Sequence, residues 1–379
     1  MRKHSTRFAE INTISAFELG IQQDFEGTNG ADTIDGTDND DVIRGLGGND
    51  TLRGFAGDDI IEGGAGADDM NGGGNTDTLS YLSSNAGVTV NLRTGSASGG
   101  HAEGDTFLNF QNLEGSAFDD VLTGDDGDNI INGSDGDDLI EGGAGADTMD
   151  GGDGIDTLSY ASSDAGVDVS FPVFSFESDA EGGHATGDVF VNFENLTGSA
   201  FNDDISGDRT DNELRGGAGD DKINGNFGSD RLFGEAGDDT LVVLRASSTQ
   251  DGSFIDGGEG IDKLDYANSS TDMVVDMSAG TAIAENGHQE TFTNIENVRT
   301  AFGDDTIIGN GVDNVLEGAS GDDTIFGNGG DDTIFGSVGD DVIEGGAGAD
   351  DMDGGDDIDL LSYESSSEGV NIDLSTNTA

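Results

Sequence analysis

Residues 27–80 read GTNGADTID, GTDNDDVIR, GLGGNDTLR, GFAGDDIIE, GGAGADDMN, GGGNTDTLS: six nine-residue units without a gap. Each opens on Gly, usually has Gly fourth, carries Asp sixth and places Ile, Leu or Met eighth. Five more units fill 115–159 and five fill 198–242; GGEGIDKLD stands alone at 257–265, and seven fill 300–362. Of the 24 sixth positions, 21 are Asp and three are Asn (Asn129, Asn212, Asn314); all 24 eighth positions are Ile, Leu or Met, and only Thr300 replaces the first Gly. A polar linker of biased composition would scatter Asp-Gly pairs, but it would not hold four positions in phase over so many units. The pattern is that of a repeat architecture.

The spacing dictates local structure. Backbone with φ > 0 is cheap only for Gly, with Asn and Asp next, so G-x-x-G-x-D predicts a tight turn whose carbonyls face inward. The three residues that follow alternate out, in, out, the two-residue period of a short strand. Such strands bury no core alone; stacked in parallel every ~4.8 Å they form a continuous aliphatic strip. The expected fold is all-β: a parallel β-roll (β-solenoid) with two nonapeptides per coil and turns along both edges.

Spacers of about 34 residues separate the blocks and repeat as well. YLSSNAGVTVNLRTGSASGGHAEGDTFLNFQNLE (81–114) returns at 160–197, lengthened by four residues around Pro172, and again at 266–299; a fourth copy starts at Tyr363. The chain therefore divides into an N-terminal segment, 1–26, and four supermodules, 27–114, 115–197, 198–299 and 300–379, expected to form one quasi-linear solenoid.

Charge comes next. Among 379 residues, 60 Asp and 20 Glu face 13 Lys and Arg, a formal net charge of −67. By composition the chain is close to disordered sequences. So few cations exclude a basic nucleic-acid surface; the lack of Cys excludes a disulfide framework and thiolate zinc sites. No run of 18 apolar residues is present to span a membrane. Stacking sets Asp32, Asp50 and Asp68 along one edge and Asp41, Asp59 and Asp77 along the other. The corresponding positions are Asp120, Asp138, Asp147 and Asp156 in the second block and Asp203, Asp221, Asp230 and Asp239 in the third. Asp262 follows in the solitary unit, then Asp305, Asp323, Asp332, Asp341, Asp350 and Asp359. Like charges ~5 Å apart repel strongly, and no Lys or Arg ladder interleaves them. A divalent cation resolves the conflict. Carboxylate and carbonyl oxygens without imidazole or thiolate suit Ca²⁺ rather than zinc or copper, and flexible carbonyl-rich turns favour it over Mg²⁺.

These units resemble the glycine-rich nonapeptide GGxGxDxUx of the RTX (repeats-in-toxin, haemolysin-type calcium-binding) family. DTLRGFAGDDIIEGGAGAD (50–68) and DDTIFGSVGDDVIEGGAGAD (331–350) are similar to its extended signature. The resemblance implies a β-roll holding Ca²⁺ between successive turns on one edge. It also implies export through a type I channel as an unfolded chain that folds in external calcium. On that pattern the sixth-position Asp residues donate side-chain oxygens and the turns donate carbonyls. One ion per pair of units n and n+2 makes four, three, three and five sites, fifteen ions that would cancel 30 of the 67 charges. Asn129, Asn212 and Asn314 are expected to weaken or abolish their sites. Phe118, Phe201, Thr210 and Val312, replacing the fourth Gly, put the first site of their blocks in question.

His101 and His184 recur in GGHAxGD segments with His288 near the equivalent place; they read as polar loop residues duplicated with the module, a second metal site being the alternative. The four tyrosines, Tyr81, Tyr160, Tyr266 and Tyr363, are expected to seal the apolar end of each block. Phe107, Phe110, Phe190 and Phe193 read as strand core, and Phe326 and Phe335 as outward-facing. Phe8, Ile11 and Ile14 suggest a small cap. The basic start lacks the apolar core of a secretory signal. NIDLSTNTA at 371–379 stops in mid-spacer, which the reading takes as a truncated frame or fragment ahead of an embedded export signal. No HExxH or GxSxG motif occurs, so no enzyme is expected. The expected function is calcium binding by a secreted β-roll. The alternatives are the accessory repeat region of an exoenzyme or polysaccharide-modifying protein, and an adhesin or matrix spacer.

Overall fold

The computed structural model describes residues 23–173, 179–243, 252–266 and 269–367. The suggested cap residues Phe8, Ile11 and Ile14 and the closing segment NIDLSTNTA lie outside these. The described residues fall into two compact units: one reaches to Ser163 and also takes Gly183–Phe193, the other takes Asp164–Gly182 and runs on from Glu194.

In the first unit, successive nonapeptides alternate between sheets, as two units per coil requires. Thr33–Asp35, Thr51–Ala56 and Asp69–Gly74 stack in parallel, aligning Ile34, Leu52 and Met70. Gln23–Glu26, Asp41–Arg44, Ile60–Glu62 and Thr78–Ser80 build the other sheet, aligning Phe25, Ile43, Ile61 and Leu79. Each step joins residues 18 apart between nonapeptides. Leu52, Ile61, Met70 and Leu79 are completely buried, whereas their neighbours Thr51, Arg53, Ile60 and Glu62 are not. In the second unit the same 18-residue step aligns Ile307, Ile325 and Ile343 in one sheet, and Leu316, Ile334 and Met352 in another. The expected all-β parallel roll is therefore what forms. Among the described residues there is no α-helix, only the 3-10 turns Gly100–Ala102 and Gly183–Ala185, and no helix long and apolar enough to cross a membrane.

The spacers are coil-forming segments, not loops. In the first, Thr89–Asn91 pairs with Val121–Thr123, Thr106–Leu108 adds to Asp69–Gly74, and Asn112–Glu114 sits between Thr78–Ser80 and Ile130–Asn132. The length beyond these steps folds out as antiparallel excursions: Thr89–Asn91 pairs with Ser96–Ser98, and Asp168–Ser170 with Asp179–Glu181. In the third spacer, Met273–Asp276, Thr281–Ala284 and Gln289–Thr293 form an antiparallel meander. Phe107 and Phe190 fill the core as expected, each in edge contact with Phe110 or Phe193 at 6.3 Å. Phe110 and Phe193 lie outside the strands.

The glycines divide by cause, which corrects the sequence reading. Fourth-position Gly57 has φ 114° and meets the conformational demand. First-position Gly45 does not have positive φ; a Cβ there would collide with the Asp50 carboxylate and the Gly63 carbonyl. Positive φ instead falls at the second position, which side chains such as Leu46 (73°) and Phe55 (78°) also tolerate.

The adjacent pair Ile130 and Ile131, 41% and 0% exposed, reads the in-out register directly. Ile131→Ala is expected to cost about 2–5 kcal/mol of folding free energy in saturating calcium, as for buried Ile truncation. Ile130→Ala should stay within about 0.5 kcal/mol, the usual range for surface sites. Denaturant melts giving equal losses would refute this register.

Candidate metal centre

The turns bring the sixth-position aspartates together edge by edge. Along each edge the backbone N–H of one aspartate donates to a carboxylate oxygen of the next, one coil later, whereas Asp77, Asp230 and Asp262 donate instead to Gln111, Ser253 and Glu296. Asp32 donates to Asp50 at 2.7 Å, Asp50 to Asp68 at 2.8 Å, and on the other edge Asp41 to Asp59 and Asp59 to Asp77 at 2.9 Å. The same bond at 2.8 Å links Asp120 to Asp138, Asp138 to Asp156, Asp203 to Asp221, Asp221 to Asp239 and Asp239 to Asp262. It links Asp305 to Asp323 and Asp323 to Asp341 at 2.8 Å, and Asp332 to Asp350 and Asp341 to Asp359 at 3.1 Å. Asp147 and Asp230 accept the equivalent bond from Asn129 and Asn212.

That bond uses only Oδ1. In twelve of these residues (Asp50, Asp59, Asp68, Asp77, Asp138, Asp147, Asp221, Asp239, Asp262, Asp323, Asp332 and Asp341) Oδ2 is buried and has no hydrogen-bond partner. It shares its space with a carbonyl: a Cβ on Gly336 would run into both Asp341 Oδ2 and the Gly354 oxygen, and Gly54 repeats this with Asp59 and Gly72. Carboxylate and carbonyl oxygens thus lie together against the glycine, in space that any side chain there would occupy. The ion pairs sit elsewhere, on outward-facing residues: Arg53 with Asp35 at 3.1 Å and Lys222 with Asp204 at 2.7 Å. Burial without a counter-charge pushes Asp77, Asp138, Asp147, Asp221, Asp230 and Asp323 up to about 7, and Asp59 and Asp262 to about 6. The backbone N–H bond offsets part of the shift, and neighbouring carboxylates add to it. Buried anionic oxygens grouped with carbonyls fit a hard divalent cation, and Ca²⁺ above all.

Other turns satisfy themselves. Asp32, Asp41, Asp120 and Asp203 open their blocks or lie one unit in; there the carboxylate accepts from the N–H and hydroxyl of Thr28, Thr37, Ser116 and Ser199 at the second position. At the three asparagines the carboxamide spans the gap. Asn129, Asn212 and Asn314 each donate Nδ2–H to the carbonyl one coil back, on Gln111, Glu194 and Glu296, at 2.7, 2.8 and 2.7 Å. Asp350 and Asp359 lie at less enclosed positions, half-buried and exposed.

Sequence reasoning missed three groups. Fifth-position side chains form a second ladder running the opposite way: Asp40 accepts from the N–H of Asp58 at 2.9 Å, and Asp322 from that of Asp340 at 3.0 Å. The Asp-Asp doublets were its visible signal. Asp105 and Asp188, in the spacers, continue the inner ladder by accepting from Asp68 N and Asp147 N at 2.8 Å. Their signal was Asp-x-Phe in place of Asp-x-aliphatic. Finally, the tyrosines do more than seal the stack: Tyr81 and Tyr160 are buried and donate to Asp105 and Asp188 at 3.1 and 3.0 Å. His101 and His184 sit on the 3-10 turns with Nδ1 buried and unpartnered, while His288 lies 3.6 Å from Glu290.

The raised carboxyls set a pH dependence for the calcium-free chain. With folded-state values near 6–7 against 3.8 unfolded, the folded form binds more protons between about pH 4 and 7. Stability from these groups is then full below about 4 and is lost as pH rises toward 7. In chelator, strand content by circular dichroism should increase on acidification across that window, the reverse of ordinary acid unfolding. A signal that is flat or falls toward acid would contradict it.

The RTX calcium-binding nonapeptide repeat matches this chain at residues 26–54, 47–79, 111–138, 123–158, 193–219, 206–241, 299–334 and 326–361. No curated protein matches it. The matches cover more than half of the chain and coincide with the four blocks of carboxylate ladders, so this protein belongs to the RTX calcium-binding repeat family.

Proposed function

We propose that the protein is a secreted calcium-responsive β-roll whose activity is ion binding coupled to folding, with no catalytic step. The row of buried, unpartnered Oδ2 atoms carries this reading. A stack of uncompensated buried carboxylates opposes the fold, and ions that bind the stacked turns but not the unfolded chain stabilise it by mass action. Affinities of about 10⁻⁴–10⁻³ M, as in extracellular calcium modules, would leave the chain unfolded inside the cell and fold it outside. That suits export as an unfolded polymer. About fifteen sites remain the upper expectation from the nonapeptide pairs. The self-satisfied turns at Asn129, Asn212 and Asn314 argue for fewer at full strength.

Titration with Ca²⁺ followed by circular dichroism should convert a largely unordered spectrum at neutral pH into strand; full strand content in EGTA would sink the proposal. Asn129→Asp exchanges the bridging amide for a second carboxylate. It should add one ion per chain by calorimetry and make folding of the second block more calcium-dependent; an unchanged stoichiometry would show that the amide is not what fills the site.

A further inference from the structure

Asp105 and Asp188 belong to no nonapeptide, yet the chain treats each as the next sixth-position aspartate. In the ordinary step from Asp50 to Asp68, Asp50 N–H donates to Asp68 Oδ1 and Asp69 N–H donates back to the Asp50 carbonyl, both at 2.8 Å. Across the first spacer Asp68 N–H donates to Asp105 Oδ1 and Thr106 N–H to the Asp68 carbonyl, again both at 2.8 Å. Across the second, Asp147 N–H donates to Asp188 Oδ1 and Val189 N–H to the Asp147 carbonyl, at the same distance. The register agrees: Phe107 aligns with Met70 and Phe190 with Met149, as Leu52 aligns with Met70. The intervals of 37 and 41 residues hide the equivalence from any search for a nine-residue period.

The chemistry follows the backbone. Asp68 and Asp147 are 2% and 0% exposed, and Oδ2 of each is buried without a partner. Asp105 and Asp188 are themselves buried at 6% and 4%. Tyr81 and Tyr160 each donate one hydrogen bond to the facing carboxylate, which leaves a lone pair on that same oxygen. In the first pair, His101 acts electrostatically on Asp68, and its Nδ1 is buried without a partner.

We propose that the first two spacers each complete one further divalent-cation site, Asp68 with Asp105 and Asp147 with Asp188, and that the ion is Ca²⁺. The proposal rests on the calcium reading of the nonapeptide turns and extends it: a spacer does not end the ion ladder on that edge but carries it one step on. The tyrosine hydroxyl orients the spacer carboxylate, which explains why Tyr81 and Tyr160 open their spacers and are wholly enclosed.

The test is calcium stoichiometry at saturation on the full chain, with and without the double substitution Asp105→Asn and Asp188→Asn. Asn is already accommodated at three ladder positions, so the backbone register should survive. Loss of two ions per chain is expected; an unchanged count overturns the proposal. A parent chain that binds no Ca²⁺ sinks the underlying reading instead. Should the variant not fold, anomalous diffraction from Tb³⁺ in crystals of the unsubstituted chain decides. A peak joining Asp68 and Asp105 supports the site, whereas peaks between Asp50 and Asp68 with none at Asp105 refute it.

Discussion

The rest of the structure depends on one electrostatic conflict: carboxylates at a spacing of one coil, each with one oxygen held by a backbone N–H and the other buried without a donor. The first half of that arrangement is favourable. A charged acceptor for an inward N–H makes a strong hydrogen bond, and it aligns successive turns at 2.7 and 2.8 Å along Asp32, Asp50 and Asp68. The second half is costly, because an anion removed from water needs compensation. The β-roll joins the two on the same residue. The group that sets the register also carries the buried oxygen that lacks a donor.

The exceptions are informative because each supplies the missing partner in a different way. Thr37, Ser116 and Ser199 bring a hydroxyl and an N–H to the carboxylate from within their own turn. Asn129, Asn212 and Asn314 replace the anion with a group that carries its own donor and close the gap to the preceding carbonyl. These self-sufficient turns cluster at or next to the starts of blocks. Blocks two to four therefore each begin on a ladder that needs less ion than its interior. Outward of these, the fifth-position carboxylates run a counter-directed ladder in solvent, where exposure lowers the cost of like charge.

Much of the fold could be read directly. Eighth-position residues such as Leu52 and Ile131 are buried and their neighbours less so because a strand alternates its side chains, and the nine-residue phase makes that alternation unambiguous. A two-per-coil register was expected as well, and the 18-residue step between paired strands bears it out. What could not be read was the work of residues whose partners come from another coil. The first Gly looked like a conformational necessity, but Gly45 is required by space shared with Asp50 and Gly63, a contact with no local signature.

The sequence by itself determined the period, the buried strip, the rows of aspartate and the class of ion that would relieve them, because all four are properties of a repeated local pattern. Only the tertiary structure decided which aspartates keep an unsatisfied oxygen, which find a hydroxyl, and that Asp105 and Asp188 join the ladder across 37 and 41 residues. The physical reason is that hydrogen-bond completion is counted across coils. A carboxylate's need is written in its own unit, but whether that need is met depends on what the next turn, nonapeptide or spacer, places against it.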